Sequence, residues 1–153
     1  MVAHPPCTRL CNSGVRWLHV PPQGKTKEEM WKDLDEGAAL FSDLWNADVP
    51  RIAIENPVMH KHAKARIQNF EPFTQSVQPY EFADSVESED NVSKRTCLWL
   101  KNLPSLVKTG SLTKETARHD IHHASPGPDR WKIRSKFHKG LADAMANQWG
   151  SAL

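Results

Sequence analysis

The residues best suited to chemistry are a cysteine and a glutamate, each placed where a short apolar stretch ends. Cys7 follows a double proline, and Glu55 ends a β-rich stretch that leads into Asn56. A thiolate is a strong nucleophile when a nearby group lowers its pKa. A partly buried carboxylic acid with a raised pKa can donate a proton to a ring nitrogen. Together these residues indicate nucleophilic attack assisted by a general acid.

Each residue also has an ordinary structural interpretation, which stays open. A lone cysteine is more often a small buried apolar residue, and Glu55 could cap the loop after its strand. The chain has 3 cysteines, at positions 7, 11 and 97. The odd number, with no secretory leader, argues against a disulfide framework and favours a reducing compartment. Cys7 and Cys11 lack the spacing of a zinc knuckle.

The histidines give only a weak indication of a metal site. His122 and His123 are adjacent and would point to different sides of a regular element, and no cysteine or carboxylate pattern completes a tetrahedral set. We therefore predict no metal, and favour surface or phosphate-contacting roles. The histidines considered are His60, His62, His119, His122 and His123.

A strand–helix–strand unit is predicted to position Cys7 and Glu55. Residues 1–4 and 51–55 have the composition of buried strands. Between them, Thr26 and Glu29 form a capping-box pattern that begins an amphipathic helix. This order favours a parallel pair of strands. Ligands of such sheets bind at the carboxyl ends of the strands, where Cys7 and Glu55 both fall.

The rest of the chain is predicted more coarsely. The basic stretch 60–66 is compatible with a short helix, residues 68–93 look irregular, and residues 96–100 form a third strand candidate. Residues 140–149 place apolar residues on one helical face. The expected organisation is an α/β portion over 1–104, a linker or small subdomain over 105–129, and a basic strand with a C-terminal helix over 130–153.

The composition is that of a globular protein rather than a membrane protein. The chain has 153 residues, 39% hydrophobic and 25% charged, with a net charge of +2. It has no apolar run long enough to span a bilayer and no signal-peptide pattern, so we predict a soluble cytoplasmic protein. Six tryptophans against one tyrosine predict a core or groove built on large flat rings.

Several segments resemble the motifs of one enzyme family. The segment 3–8, Ala-His-Pro-Pro-Cys-Thr, resembles the Pro-Cys motif of cytosine-C5 DNA methyltransferases, and 54–57, Ile-Glu-Asn-Pro, resembles their Glu-Asn motif. Lys94 and Arg95 stand where that family has a basic motif before a strand, and residues 140–146 resemble its closing small-residue helix. Over most of its length the chain resembles phage and prophage methyltransferase-like proteins, through residues 11–18, 55–64 and 96–104.

This resemblance implies a partial Rossmann-like methyltransferase domain that uses S-adenosylmethionine. Cys7 would attack C6 of a cytosine flipped out of DNA, Glu55 would protonate or hydrogen-bond N3, and C5 would then take the methyl group. Lys94 or Arg95 would steady the base or a phosphate, although Thr96 occupies one expected basic position. The resemblance places Asn56 with Glu55 in the catalytic motif. It places Pro5, Pro6, Leu141 and Ala142 near the cofactor.

Two departures from the family define the alternatives. Only three residues precede His4, and no glycine-rich turn joins a strand to a helix downstream, so we expect the cofactor-binding front of the fold to be missing. The chain is then the catalytic half of a methyltransferase-like enzyme. The alternative is a non-catalytic DNA-binding remnant, or a split subunit whose partner carries the cofactor half. Amino-methyltransferases, with an aromatic residue after the two prolines, are disfavoured by Cys7.

A basic stretch near the C-terminus is a candidate for contact with DNA. Its charges alternate with apolar residues and could follow a phosphate backbone, with Trp131 available for stacking. An amphipathic edge strand with a solvated face would look the same. The candidate nucleic-acid residues are Arg130, Trp131, Lys132, Arg134 and Lys136. DNA is the expected partner, with a missing N-terminal half or a second copy also considered, since an open sheet edge would favour dimerisation or poor solubility.

Overall fold

The computed structural model describes residues 1–119 and 135–150. The chain forms two compact units: the first comprises Met1–Ser76 and Cys97–Leu103, and the second comprises Val77–Thr96 and Pro104–Leu153. The sequence suggested one α/β portion over 1–104, whereas the structure groups 77–96 with the C-terminal segments.

The strands form one four-stranded mixed sheet. These are β1 (Val2–Ala3), β2 (Ile52–Asn56), β3 (Gln75–Val77) and β4 (Thr96–Lys101), in the order β1-β2-β4-β3. β1 and β2 are parallel, with Ala3 opposite Ile54. β2 and β4 are antiparallel, with Asn56 opposite Cys97. The expected α/β class and the parallel pair are confirmed, and the third strand candidate is β4. Antiparallel strands are common additions to parallel sheets.

Helix α1 (Lys27–Trp45) connects β1 to β2 and begins at the predicted cap. The Thr26 hydroxyl accepts a hydrogen bond from the Glu29 amide at 3.1 Å, and the Glu29 carboxylate accepts one from the Thr26 amide at 2.7 Å. This reciprocal pair satisfies two amides that would otherwise lack partners. The buried face of α1 carries Met30, Leu34, Ala38, Phe41, Ser42 and Trp45.

The core of the first unit forms where α1 packs on β2 and β4. Phe41 and Trp99 meet edge to face with ring centroids 5.3 Å apart, and the Trp99 indole donates to the Glu71 carbonyl at 2.8 Å. Buried tryptophans usually need such a partner for the N–H. Ile52 and Ile54 of β2 are fully buried in the same cluster. Large flat rings therefore contribute to this core, one of the two arrangements that the composition predicts.

Short helices and one short strand lie between the longer elements of both units. A 3₁₀ helix spans Asn12–Leu18, and helix α2 spans Lys61–Lys64. The segment expected to be irregular, 68–93, contains strand β3 and a 3₁₀ helix at Pro79–Phe82. That expectation was wrong for these residues, because elements of three or four residues are too short to show a period.

Helix α3 (Lys139–Gly150) organises the second unit and confirms the predicted C-terminal helix. Its buried face consists of Leu141, Ala144, Met145 and Trp149. The Trp149 indole donates to the Pro104 carbonyl at 2.9 Å, and the Asp90 carboxylate accepts from the Gly140 amide at 2.6 Å. An anionic acceptor at this end of a helix is favourable. None of the helices among the described residues is long and apolar enough to cross a membrane.

Candidate functional site

The register of β1 and β2 places the two sequence motifs at one edge of the sheet. Because Ala3 lies opposite Ile54, the next residues along, His4 and Glu55, are neighbours. The His4 Nδ1 atom lies 3.3 Å from the Glu55 Oε2 atom. The side chain of Glu55 is only 14% exposed, so its carboxylate sits in a partly desolvated position. The predicted meeting of the two strand ends is confirmed.

Asn56 fixes the two motifs to each other. Its side chain is fully buried, and its amide Nδ2 donates a hydrogen bond to the Pro5 carbonyl at 3.0 Å. A buried carbonyl left without this donor would be costly. Among the described residues, the Asn56 Oδ1 atom has no hydrogen-bond partner. The role of Asn56 that the geometry supports is to position the Pro5-Pro6-Cys7 segment beside Glu55.

The loop after Cys7 is held by backbone hydrogen bonds. The amides of Leu10 and Cys11 both donate to the Cys7 carbonyl at 3.0 Å, which places Cys11 one turn after Cys7. The His60 ring lies 2.7 Å, through Nε2, from the Arg9 carbonyl. The His60 amide donates to the Leu10 carbonyl at 3.0 Å. The loop is therefore anchored to the segment that follows β2.

This turn brings two thiols into one hydrogen-bonded pair. The hydrogen bond to Cys11, burial, and the negative charges of Cys11 and Glu55 all raise the pKa of the Cys7 thiol. The hydrogen bond from Cys7 lowers the pKa of Cys11 to about 5, and the hydroxyl of Ser13, 3.1 Å from the Cys11 sulfur, adds to this effect. The two shifts are opposite in direction, so ionisation of the pair favours Cys11 over Cys7.

The paired thiols differ from the lone nucleophile that the sequence suggested. Cys7 is partly exposed and its pKa is raised, whereas Cys11 is 6% exposed and its pKa is lowered. A Cys7 thiol needs a base before it can attack, and the neighbouring Cys11 sulfur is the candidate for this role. His4 and Cys11 are the site residues that sequence reasoning missed. The four-residue spacing of the cysteines was the available signal for the second.

The other predicted catalytic residues belong to the second unit. The Lys94 ammonium group donates to the Lys136 carbonyl at 2.9 Å. Lys136 is exposed, and its own ammonium group binds the Glu89 carboxylate. Arg95, which is exposed, follows Lys94 directly. Of the nucleic-acid candidates, Arg130, Trp131, Lys132 and Arg134 lie outside the described residues, so only Lys136 is placed.

The residues predicted near the cofactor do not fit S-adenosylmethionine. Leu141 is 1% exposed and packs in the core of the second unit. Pro5 is buried and its carbonyl is occupied by Asn56, while Pro6 and Ala142 add no polar side chain. A nucleoside with an amino acid group requires several convergent polar groups.

A pocket of about 280 Å³ lies in the second unit beside α3. Its lining includes the carboxylates of Asp84, Asp90 and Asp143. Lys139 lies beside them, but its ammonium group binds Asp143 at 2.5 Å. This acidic lining is unfavourable for phosphate. Within residues 1–119 and 135–150, no group of three or more His, Cys, Asp or Glu residues has the arrangement of a metal site.

No protein-family model matches the chain, and no curated protein or solved structure is significantly similar to it. Its function must therefore be argued from its own geometry.

Proposed function

We propose that the chain is the cytosine-activating, catalytic half of a DNA cytosine-C5 methyltransferase-like protein. The single observation that carries this proposal is the hydrogen bond from Asn56 to the Pro5 carbonyl, 3.0 Å long and buried. It joins the segment that resembles the Glu-Asn motif to the segment that resembles the Pro-Cys motif. A nucleophile and an acid at one sheet edge suit addition to a polarised ring.

The proposed step is a reversible addition to cytosine. The Cys7 sulfur forms a bond to C6, and the electrons of the C5–C6 double bond move toward C5 through the ring. Glu55 gives a proton to N3 and takes up the negative charge. The Cys7 proton passes to the Cys11 thiolate, which is hydrogen-bonded to it. Each proton and electron pair therefore has a defined destination among Cys7, Cys11 and Glu55.

His4 supports this chemistry through Glu55. Its ring lies 3.3 Å from the carboxylate and is 41% exposed, so it contacts both the acid and solvent. A histidine exchanges protons with water near neutral pH. His4 therefore provides a route by which Glu55 regains the proton given to N3. S-Adenosylmethionine, when bound to a complementary cofactor-binding half, would supply the methyl group.

The addition step can be tested without a methyl donor. Protonation of the adduct at C5 and loss of the original hydrogen exchange the C5 hydrogen with solvent. A single-stranded oligonucleotide with one cytosine is incubated with the chain in D2O, and deuterium at C5 is measured by mass spectrometry. We expect exchange with the wild type and none with Cys7→Ser. Lys108→Gln, at an exposed site in the second unit, serves as the matched control and should exchange normally.

The alternative is a non-catalytic DNA-binding remnant or a subunit that lacks activity without its partner. The observation that favours it is the raised pKa of Cys7, which opposes formation of the attacking thiolate. DNA binding without any C5 exchange would support this alternative. C5 exchange that persists in Cys7→Ser would show that Cys7 is not the nucleophile.

A further inference from the structure

A cluster of aromatic rings lies on the first unit, outside the Cys7–Glu55 site. His19, Trp31 and His62, here called the ring cluster, contact one another in pairs. Their centroids are 6.0 Å apart for His19–Trp31, 5.9 Å for His19–His62 and 5.2 Å for Trp31–His62. His19 is exposed, and Trp31 and His62 are half-buried, so ring surface remains open to solvent. The three rings come from three separate segments of the chain.

Cationic side chains border the ring cluster. The Arg66 guanidinium lies 4.9 Å from the centroid of the Trp31 ring, and its Nε binds the Asp35 carboxylate, which neutralises the nearby acidic charge of α1. Lys61 and Lys64 lie on the same short helix as His62 and are exposed. They supply positive charge beside the open rings.

The 3₁₀ helix before His19 repeats this combination of ring and cation. Arg16 stacks over the indole of Trp17 at 4.3 Å. Arg16 is exposed and Trp17 is half-buried, so the guanidinium covers the ring from the solvent side. Cation–π pairs of this kind hold both groups in place.

Buried His60 keeps this surface rigid and excludes a metal-binding explanation. Its Nδ1 accepts a hydrogen bond from the Ala63 amide at 3.1 Å, and its Nε2 lies 2.7 Å from the Arg9 carbonyl. Both ring nitrogens are occupied, so His60 cannot join His19 and His62 as a metal ligand. The same bonds fix the start of α2 and with it the position of His62, whose ring centroid lies 5.8 Å from that of His60.

We propose that the ring cluster, with Arg16, Lys61 and Lys64, binds single-stranded nucleic acid. Open aromatic faces stack unpaired bases, and exposed cations beside them neutralise the adjoining phosphates. The plane of the His19 ring makes an angle of 80° with the Trp31 ring and 64° with the His62 ring. Rings at such angles cannot stack together on one flat duplex end or lipid surface. Unpaired bases can rotate independently and stack on each ring. This surface is additional to the C-terminal basic stretch and does not depend on the reaction at Cys7.

The charge contribution is tested by fluorescence anisotropy with a short labelled oligothymidylate over a series of salt concentrations. Lys61→Gln/Lys64→Gln should bind several-fold more weakly and lower the slope of log K against log salt by about 1.4, or about 0.7 for each phosphate that is no longer neutralised. The matched control is Lys108→Gln/Lys114→Gln, two exposed lysines of the second unit. Equal losses of affinity in both double variants, or no binding by the wild type, would overturn the proposal.

The stacking contribution is tested with His19→Ala, an exposed position where truncation should leave the fold intact. This variant should lose several-fold affinity for the oligothymidylate and none for inorganic polyphosphate, which has charge but no bases. Equal losses on both probes would show that the rings are not used. Oligouridylate and a DNA duplex complete the set: similar binding of the two single strands is expected, and tighter binding of the duplex would contradict the proposal. Failure of C5 exchange leaves all these outcomes unchanged.

Discussion

Cys11 determines how Cys7 ionises, because the two sulfurs share a hydrogen bond in a single turn of the loop. The hydrogen bond is the largest cause of both the raised pKa of Cys7 and the lowered pKa of Cys11. Cys11 therefore opposes formation of the Cys7 thiolate. In the proposed reaction it is also the group that accepts the Cys7 proton. These two effects predict opposite results in two different assays.

Cys11→Ala should make Cys7 more reactive toward a simple alkylating agent. Without Cys11, the main cause of the raised pKa is removed, so the pKa of Cys7 should fall toward its ordinary value of 9.0. The rate at which iodoacetamide alkylates Cys7 should then be higher in Cys11→Ala than in the wild type at pH values below 9.0. Peptide mass spectrometry across a pH series measures this rate. The same variant should slow C5 exchange, because the proton acceptor is missing.

Ser13→Ala is the companion control for the cysteine pair. It removes one hydroxyl that lowers the pKa of Cys11 and leaves both thiols present. The onset of thiolate absorbance in the ultraviolet should move to higher pH in Ser13→Ala than in the wild type.

The alkylation test of Cys11→Ala has its own contradicting outcome. Identical alkylation profiles for the wild type and Cys11→Ala would show that the two thiols ionise independently.

At the scale of elements, Gly14 keeps the 3₁₀ helix packed against the loop that carries Cys7. A side chain at this position would collide with the Thr8 carbonyl oxygen, a backbone atom that cannot move aside alone. Gly14→Ala should therefore lower the free energy of unfolding by about 1–3 kcal/mol and slow C5 exchange, because the loop must shift. Urea unfolding measures the first effect.

Gly150→Ala is the matched glycine for this test. A Cβ added at Gly150 would meet no atom within 4 Å, so the substitution should change stability little. A loss of stability at Gly14 no larger than that at Gly150 would contradict the packing argument. A loss of stability at Gly14 with exchange fully retained would show that the position of the loop does not matter for Cys7.

Much of the secondary structure could be predicted from the sequence because its signals are local. The capping box at Thr26, the period of α1 and the apolar stretches of β2 and β4 each lie within one segment. The contact between His4 and Glu55 depends instead on strand register, which a two-residue strand cannot specify. The pairing of Cys7 with Cys11 depends on a loop conformation fixed by residues after β2. Local patterns contain no information about the strand register, and the four-residue spacing of the cysteines only hints at their pairing.

At the scale of the whole chain, the grouping of 77–96 with the C-terminal segments depends on contacts between residues far apart in sequence. The Asp90 carboxylate accepts a hydrogen bond from the Gly140 amide at 2.6 Å and lies 3.0 Å from the His138 ring. Such pairs have no signature in composition or periodicity. These contacts place residues 77–96 in the second unit, although the segment leads directly into β4.

The His138–Asp90 pair should make the second unit sensitive to acid. Burial lowers the pKa of His138 below its ordinary value of 6.5, although the Asp90 carboxylate opposes this shift and Lys94 and Lys136 reinforce it. The folded chain therefore binds a proton at His138 less readily than the unfolded chain. The resulting stability is complete above pH 6.5 and is lost as the pH falls through the lowered pKa.

Hydrogen exchange of the α3 amides tests this prediction. Protection should fall as the pH drops below 6.5, the ordinary pKa of a histidine. The slope contributed by His138 should be at most about 1.4 kcal/mol per pH unit. His138→Gln, which keeps a hydrogen-bond donor but does not titrate, should remove that contribution. Hydrogen exchange of the amides of the first unit provides the internal reference. An unchanged slope in the variant would assign the acid sensitivity to other groups.

The bond between Asn56 and Pro5 has a consequence for how the sequence can vary. The Asn56 amide recognises a main-chain carbonyl, which every residue type supplies, so the side chain at position 5 contributes nothing to that bond. Substitution should therefore be tolerated at position 5 far more readily than at position 56. Distant relatives that kept the architecture would diverge at the first proline and retain the asparagine, which makes Asn56 the better anchor for aligning them.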